Sequence, residues 1–424
     1  MNAQEPVTLA SCADEFDPHS MTVEQARLVI ARHLTPLQDT LRLPLRSALH
    51  HYLAEDVVSP LNVPPHDCSA MDGYAVRHAD LSPAGETVLE TTETLLAGAT
   101  TPSSTLAPGT ALRIMTGAVM PAGADTIIMQ EQCRREGSRV WVSPGQHQGQ
   151  HLRRQGEDLR LGSAALCRGQ RIRPVELGLI ASLGIAEVSV YRPLRVAFFS
   201  TGDELASIGS PLAPGQIYDS NRYTLYGMLK DLGVECLDLG TVRDDPAALE
   251  DAFENACRMA DVVISSGGVS VGEADFIKPV LARMGETVFW KIAMKPGRPL
   301  AYGRLRNRHF FGLPGNPVAV MVTFYAFVRD ALLTLAGAHP VPVVPGMTVR
   351  TSAPLKKLPG RAEFQRGIVS RDAQGQWTVR STGNQGSGIL RSMHEANCLI
   401  LLPLASGSVP AGTEVEILPF EGLF

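Results

Sequence analysis

Strands and helices alternate along residues 195–337, and this alternation limits the possible folds more than any other feature of the chain. The predicted strands are 195–199, 234–239 and 261–265; the predicted helices are 220–233, one beginning at Asp245-Pro246, 274–284 and 316–335. An aspartate cap followed by proline is a typical helix start. Repeated units of this kind predict a mostly parallel, doubly wound sheet covered by helices on both faces, with ligands bound beyond the carboxyl ends of the strands.

The flanking segments have different patterns. A Thr–Gln capping box opens a helix predicted over 22–34, and a serine can cap a second helix over 47–53. Short β-rich runs between Gly and Pro turns fill 60–142, and a helix with proline in its first turn is predicted over 174–183. Residues 341–424 return to short strands, which predicts a small β-barrel or sandwich.

Composition narrows the range of partners and compartments. The net charge of −5 argues against a general nucleic-acid binder, so anionic ligands must be held by local cations and backbone N–H groups. The 7 cysteines are scattered singly without metal-site spacing, which is typical of a reducing compartment. No apolar run approaches the roughly 18 residues of a membrane span, and the polar segment 1–20 lacks the features of a signal peptide. We therefore expect a cytoplasmic protein with no membrane partner and a disordered tail over 1–20.

Carboxylates and glycines follow the predicted strands of the α/β region. Glu204, Asp244 and Asp275 offer hard oxygen ligands that suit Mg²⁺ bridging phosphates. Gly267 and Gly268 let backbone N–H groups approach an oxyanion closely. The alternative interpretation is that Glu204 and Asp245 only cap helices and that the glycine pair is a tight turn. Three such loops at one sheet edge favour a binding crevice.

Ser270 lies in a Gly-Val-Ser-Val-Gly sequence that matches a serine-hydrolase nucleophile elbow. The match is short, and a Gly-Glu pair separates the serine from the helical pattern. Only His309, His339 and His394 remain downstream, and none follows a clear strand end. An anion-binding turn is therefore the favoured interpretation, with a hydrolase as the alternative.

Cations form a second group of candidate residues. Lys291, Lys295 and Arg298 follow a strand and lead into a Pro/Gly turn, where they can hold phosphate or a tetrahedral oxyanion or simply form a solvated basic turn. A rigid turn containing Pro314 then leads to Pro317, which begins the long predicted helix. This turn either serves only to start the helix or also contacts a ligand. Asp72, Thr116, Asp158, Arg366 and Ser387 lie in further polar turns.

Taken in order, these segments resemble the molybdenum-insertion enzymes of molybdenum cofactor biosynthesis, a family that includes the E domain of gephyrin. The resemblance covers about residues 21–420. The matching motifs are Ser69-Ala-Met-Asp-Gly-Tyr-Ala, Arg113-Ile-Met-Thr-Gly, Gly156-Glu-Asp, Phe199-Ser-Thr-Gly-Asp-Glu-Leu, Arg243-Asp-Asp, Ser265-Ser-Gly-Gly-Val-Ser-Val-Gly-Glu-Ala-Asp, Lys295-Pro-Gly-Arg-Pro, Gly312-Leu-Pro-Gly-Asn-Pro and Phe364-Gln-Arg-Gly.

The resemblance implies a multidomain α/β and β architecture. Its expected parts are a discontinuous helical linker domain (21–59 and 157–193), a β-rich insertion (60–156), an α/β molybdopterin-binding domain (194–340) and a C-terminal β-barrel (341–424). It also implies an elongated homodimer whose active site is shared between the α/β domain of one subunit and the insertion of the other.

The implied enzyme is a molybdenumtransferase that takes adenylyl-molybdopterin and molybdate and, with Mg²⁺, releases AMP and the metallated pterin. The resemblance places Asp72, Thr116, Asp158, Glu204, Asp244 and Asp275 in catalysis, with Mg²⁺ near Asp244 and Asp275. The implied substrate-binding residues are Gly267, Gly268, Ser270, Lys291, Lys295, Arg298, Pro314, Pro317, Arg366 and Ser387. The chain departs from the usual family pattern at Arg298, where lysine is common, and at Ala319, where serine is common.

Further partners compatible with this role are the molybdopterin adenylyltransferase and molybdoenzyme maturation factors. The adenylyltransferase itself is an alternative identity, since it shares this kind of α/β domain, but it needs neither the β-rich insertion nor the barrel. A receptor-clustering scaffold would need a further domain and linker.

Overall fold

The computed structural model describes residues 20–99, 105–268 and 277–420. Its largest unit is a six-stranded sheet whose first four strands are parallel and whose last two form an antiparallel edge. In spatial order the strands are Glu235–Val242, Arg195–Thr201, Val262–Ser266, Arg308–Leu313, Pro299–Leu305 and Gly285–Lys291. The mostly parallel sheet expected from the alternating pattern is therefore confirmed.

Helices cover both faces of this sheet because successive strand residues point to opposite sides. Val196 and Phe198 pack against the layer that contains Asn221–Asp231 and the long helix beginning at Pro317. Ala197 and Phe199 pack against the other layer, which is formed by the helices Pro246–Met259 and Ile277–Met284. As expected, the Asp245 side chain accepts hydrogen bonds from the amides of Ala247 (3.1 Å) and Ala248 (2.9 Å).

The helix Pro317–Leu335 is long and apolar enough to cross a membrane by length and composition, but 83% of its most apolar window is buried inside the protein. It consists of an α-helix (Pro317–Thr323), a π-helical turn (Phe324–Val328) and a second α-helix (Arg329–Leu335). Because its side chains fill the main core, it has the burial of a core helix.

The first helix, Val23–Arg32, has the predicted capping box and packs its buried face into the α/β core. The rest of the linker region pairs Thr40–Pro44 antiparallel with Glu187–Tyr191 and contains the helix Pro174–Ser182. A short antiparallel ladder pairs Val58 with Ala164 and Val57 with Leu166.

The predicted helix over 47–53 is wrong. The structure has only a short 3₁₀ turn, Leu45–Ala48. Tyr52 and Leu53 instead form extended bridges with Arg171 and Val190, so pairing with distant segments overrides the local helical preference.

The β-rich insertion forms a six-stranded sheet. Its strands, in spatial order, are Thr126–Met129, Gly73–Val76, Thr110–Ile114, Thr87–Leu95, Arg139–Val142 and Cys133–Glu136. The short strands Cys68–Ser69 and Leu152–Arg153 pair beside it, and 3₁₀ turns occupy His78–Asp80 and Gln130–Gln132.

The C-terminal region is a closed five-stranded barrel, as expected. Its strands are Met347–Thr351, Ala362–Arg371, Trp377–Ser381, Cys398–Leu402 and Glu414–Pro419, and the helix Arg391–Glu395 lies between the third and fourth. Closure follows because Ala362–Arg371 pairs with both Trp377–Ser381 and Cys398–Leu402, and the remaining neighbours complete the circle. The barrel is joined to the α/β unit by a parallel ladder in which Met294–Lys295 pairs with the beginning of the strand Ala362–Arg371.

Candidate active site

A cleft of about 1130 Å³ opens where the parallel strands of the α/β sheet end. Loops after four strands, the turn after Lys291 and a loop of the barrel line it. The lining residues that the sequence analysis singled out are Glu204, Asp244, Gly267, Gly268, Lys291, Lys295, Arg298, Pro314, Pro317 and Ser387. The structure therefore brings together residues that are separated by up to 183 positions in the chain. This placement agrees with the rule that open α/β sheets bind ligands at the carboxyl edge.

The floor of the cleft is a close contact between backbones. Gly267 has φ +94°, and a Cβ built on it would lie 2.6 Å from the carbonyl oxygen of Thr201. A Cβ on Gly268 would lie 2.2 Å from the Ile277 side chain. Glycine is required at Gly267 by both its backbone conformation and its surroundings, and the absence of side chains leaves the backbone open to a ligand.

Asn221 connects two sides of this floor, and the sequence analysis missed it. Its Nδ2 donates to Ser266 Oγ (2.9 Å) and to the carbonyl oxygen of Gly315 (2.7 Å), so both amide protons are used. The buried atoms Asn221 Oδ1 and Thr201 Oγ1 have no hydrogen-bond partner among the described residues. The sequence signal was weak, since an asparagine at a helix start usually acts as a cap.

The acidic residues of the cleft divide into two kinds. Glu204 and Asp244 line the cavity, and the Asp244 amide donates to Asp203 Oδ1 (3.3 Å). Asp219 also lines it, but it is a buried carboxylate that accepts from the side chains of Ser200, Arg222 and Thr241, so its hydrogen-bonding capacity is taken up by the protein. Asp275 and Ser270 lie outside the described residues.

The acidic residues fit a Mg²⁺ ion that is held partly by substrate. Within residues 20–99, 105–268 and 277–420, no group of three or more His, Cys, Asp or Glu side chains is placed to hold a metal. Mg²⁺ commonly binds through one or two carboxylates plus substrate phosphates and water. The carboxylates of Glu204 and Asp244 have the chemistry that such a shared site needs, and Mg²⁺ binding by them stays a prediction.

Four cationic side chains also line the cleft, and three of them come from the segment 291–298. Lys291, Lys295 and Arg298 all line the cavity, and Arg361 from the edge of the barrel joins them. Lys295 is half exposed, and its Nζ lies 3.9 Å from Glu363 Oε1. Arg361 was not predicted as a site residue, because it precedes the Phe364–Gly367 motif and does not belong to it.

Ser387 and Arg366 show different relations to the cavity. Ser387 lines it, and its carbonyl oxygen accepts from the Val318 amide (3.1 Å), which links the barrel loop to the first turn of the long helix. Arg366 is not among the lining residues. Its side chain is 1% exposed and donates to Ser392 Oγ (3.0 Å) and to the Gly386 carbonyl oxygen (3.0 Å). Burial lowers the pKa of Arg366 to about 10.

The fork-shaped guanidinium of Arg366 donates to the Ser392 hydroxyl and to the Gly386 carbonyl oxygen, so these hydrogen bonds go to the protein behind the 384–388 loop. The expected role of Arg366 in binding an oxyanion stays a prediction. In this structure Arg366 supports a wall of the cleft.

Asp72, Thr116 and Asp158 lie in and beside the β-rich insertion and do not line the cleft of their own chain. Asp72 Oδ1 accepts from the Thr116 amide (2.8 Å) and from Thr116 Oγ1 (2.7 Å), and these hydrogen bonds lower the pKa of Asp72. All three residues are exposed. The structure thus pairs Asp72 with Thr116 but leaves the three apart from the cations.

Comparisons with known proteins agree with this architecture. Three family models match in chain order: the MoeA N-terminal region (domains I and II) over 21–184, a probable molybdopterin binding domain over 197–334, and the MoeA C-terminal region (domain IV) over 348–420. The chain belongs to the MoeA family. This confirms the resemblance inferred from the motifs and, with it, the expected class of transferase.

Relatives match over nearly their full length. A molybdopterin molybdenumtransferase of Haemophilus influenzae is 45% identical over 95% of this chain and 99% of its own. A protein of the same name from Nostoc is 38% identical over 90% of this chain and 89% of its own. A crystal structure of a molybdopterin biosynthesis moeA protein from Pyrococcus horikoshii has a TM-score of 0.82 at 29% identity, covering 94% of this chain and 100% of its own.

Proposed function

We propose that this protein transfers molybdenum from molybdate to adenylyl-molybdopterin and releases AMP and the metallated pterin. The observation that carries the proposal is the cleft itself, which is lined by the carboxylates Glu204 and Asp244, the buried carboxylate of Asp219, a glycine floor and four cations. That combination suits a substrate with a pyrophosphate and a second, tetrahedral oxyanion. The names of full-length relatives support the same reaction.

The residues of the cleft act by positioning and charge neutralisation. The Gly267 N–H donates to the Leu313 carbonyl oxygen (3.1 Å), so the backbone amide of Gly268 is the one assigned to a phosphate oxygen. The absence of side chains on both glycines lets that oxygen approach closely. Lys295 and Arg298 hold molybdate beside the pterin dithiolate, so that two bound reactants meet in one orientation. Two Mo–S bonds form as one oxygen of molybdate leaves as water with the two dithiol protons, and molybdenum does not change its oxidation state. A second water is consumed when the P–O–P bond is cleaved, and AMP leaves with the phosphate from the adenylyl side.

Glu204 and Asp244 would hold Mg²⁺ against the pyrophosphate in this scheme. The ion would supply neutralisation of the charge that develops on the phosphate oxygens. We assign Asp275 the same role as a proposal, since it lies outside the described residues. The two described carboxylates also orient the pyrophosphate through this shared site.

We further propose a homodimer in which the insertion of one subunit completes the cleft of the other. Asp72 and Thr116 are exposed, are fixed to each other by two hydrogen bonds, and lie outside the cleft of their own chain. A second subunit provides a closed, symmetric way to bring such a pair to the site. The cytoplasmic location and the adenylyltransferase as supplier of substrate stay predictions.

The decisive assay measures AMP release from adenylyl-molybdopterin and Mg²⁺ with and without molybdate. The proposal expects molybdate-dependent AMP release and transfer of molybdenum to the pterin. AMP release that ignores molybdate would overturn the insertion step, and formation of adenylyl-molybdopterin from ATP would favour the adenylyltransferase alternative.

A subunit-mixing experiment tests the shared site. Asp72→Asn and Glu204→Gln proteins should each be inactive as homodimers. After unfolding and refolding together, about half of the dimers are hybrids with one intact site each, which predicts recovery of about a quarter of wild-type activity. No recovery, despite hybrids detected by native mass spectrometry, would place both residues in the site of one subunit.

The hydrolase alternative has less support. None of the three downstream histidines lines the cleft, and His309 is buried with its Nδ1 3.3 Å from the Tyr302 hydroxyl. Ser270 lies outside the described residues. Simple-ester hydrolysis that is lost in Ser270→Ala would revive this alternative.

A further inference from the structure

Three charged side chains of the C-terminal barrel region are buried. Lys357, Glu363 and Arg366 are 5%, 7% and 1% exposed. Charged residues are rarely buried this far unless they are paired. Burial lowers the pKa of both Lys357 and Arg366, and the charge of Glu363 acts in the opposite direction on each. Glu363 is therefore a counter-charge for two buried cations as well as a neighbour of Lys295.

Glu363 and Lys295 occupy paired positions in the ladder that joins the barrel to the α/β unit. The Ala362 amide donates to the Ala293 carbonyl oxygen at 2.8 Å, so the two backbones are fixed directly beside the pair. The Lys295 side chain is 49% exposed and lines the cleft, whereas that of Glu363 is 8% exposed and does not. The carboxylate therefore contacts the lysine from behind the cleft wall.

The orientation of Glu363 is itself fixed. Gln365 Nε2 donates to Glu363 Oε2 at 2.7 Å and also donates to the Lys356 carbonyl oxygen at 2.8 Å. Oε1 is thereby turned toward Lys295 Nζ, 3.9 Å away. At this separation the carboxylate attracts the ammonium without fully engaging it, which leaves Lys295 able to bind an oxyanion in the cleft.

We propose that Glu363 is a positioning residue that orients Lys295 for binding molybdate. This inference rests on the proposed function, because it assigns molybdate to the cation side of the cleft. Lysine is a point charge on a flexible stem, and a fixed carboxylate behind it restricts where that charge lies. A carboxylate that only repelled molybdate would weaken binding, whereas one that orients the lysine strengthens it, so the two roles predict opposite results.

Glu363→Gln separates these roles. The amide keeps the size of the side chain and can still accept from Gln365, but it loses the charge that attracts Lys295. We expect the KM for molybdate to rise roughly three- to tenfold, with little change in kcat or in the KM for adenylyl-molybdopterin. Glu395→Gln, which removes an exposed barrel carboxylate paired with Arg391, is the matched control and should leave all three constants unchanged.

A double-mutant cycle with Lys295→Met tests whether Glu363 acts through the lysine. In the Lys295→Met background, Glu363→Gln should raise the molybdate KM no further. An equal rise in both backgrounds, an unchanged KM or a lower KM in Glu363→Gln alone would overturn the inference. If that variant does not fold, Glu363→Asp keeps the charge on a shorter side chain, and an unchanged molybdate KM there would count against the inference.

Calorimetric titration of each protein with sodium molybdate separates this inference from the proposed function. If the wild type binds molybdate but shows no molybdate-dependent AMP release, the proposed function fails. The inference then stands or falls on whether Glu363→Gln weakens molybdate binding in the titration. A wild type that neither binds molybdate nor shows molybdate-dependent AMP release would overturn the proposed function and the inference about Glu363.

Discussion

Gly267→Ala is the sharpest test of the backbone floor. The new Cβ would lie 2.6 Å from the Thr201 carbonyl oxygen, whereas real Cβ atoms essentially never come closer than 3.0 Å, so one of the two loops must move. The positive φ of +94° adds about 1–2 kcal/mol of backbone strain. We expect a loss of unfolding free energy of about 2–3 kcal/mol in total.

The matched control is Gly240→Ala. Gly240 has φ +81° but nothing within 4 Å of a built Cβ, so this variant introduces the strain without the contact. Urea unfolding should show a smaller loss, about 1–2 kcal/mol, for the control. Because displacements approaching 1 Å can cost about a hundredfold in rate, kcat/KM for adenylyl-molybdopterin should fall ten- to a hundredfold in Gly267→Ala alone. Equal stability and equal activity in the two variants would refute the close-approach argument.

Three further predictions concern charged groups. Burial raises the pKa of Asp261, but two hydrogen bonds from Arg192 (2.7 and 2.8 Å) and one from the Arg195 amide outweigh it, so the net pKa is lowered. Asp261→Asn should lower the free energy of unfolding by about 3 kcal/mol at pH 7. It should also remove the part of the wild type's acid-induced loss of stability that occurs below about pH 4, which urea unfolding at a series of pH values measures. Burial lowers the pKa of His309 from 6.5 to about 4. The contribution of the neutral imidazole to the free energy of unfolding is therefore full above pH 6.5 and is lost as the pH falls toward 4. In His309→Gln the free energy of unfolding should depend less on pH over this range. Arg366→Lys should loosen the 384–388 loop, with faster hydrogen exchange there and a higher molybdate KM, because an ammonium does not reproduce the planar fork that reaches both Ser392 and Gly386.

Much of the α/β unit could be predicted from the sequence because its signals are local. Asp245-Pro246 begins a helix where expected, and the buried strands read as apolar runs between turns. The helix expected over 47–53 failed for the opposite reason, since long-range bridges of Tyr52 and Leu53 decide the backbone there. Serine, as a residue that can cap a helix, carries no information about those distant partners.

The candidate site was predictable to the same extent. Residues that follow strands, such as Glu204 and Lys295, could be assigned to one edge once a parallel sheet was expected. Asn221 and Glu363 could not be assigned in this way, because their importance comes from contacts that are distant in sequence. Asn221 contacts Ser266 and Gly315, which are 45 and 94 positions away, and Glu363 contacts Lys295, which is 68 positions away. Arg366 belongs to a motif, but only the structure shows that its guanidinium lies behind the loop.

The barrel is best understood as part of the cleft. Its polar links to the α/β unit include the Ala362 amide to the Ala293 carbonyl oxygen, the Val318 amide to the Ser387 carbonyl oxygen, and the Lys295–Glu363 pair. Phe364 and Leu399 of the barrel also pack into the α/β core. Lys295 and Ser387, which take part in these polar links, line the cavity, whereas the lining carboxylates Glu204 and Asp244 follow strands of the α/β sheet. The barrel therefore contributes Arg361, Ser387 and the partner of Lys295 to the cleft, while Gly267, Gly268, Glu204 and Asp244 belong to the α/β unit. Under the proposed function, the α/β unit supplies the groups for the phosphorylated pterin, and the barrel completes those for the tetrahedral anion.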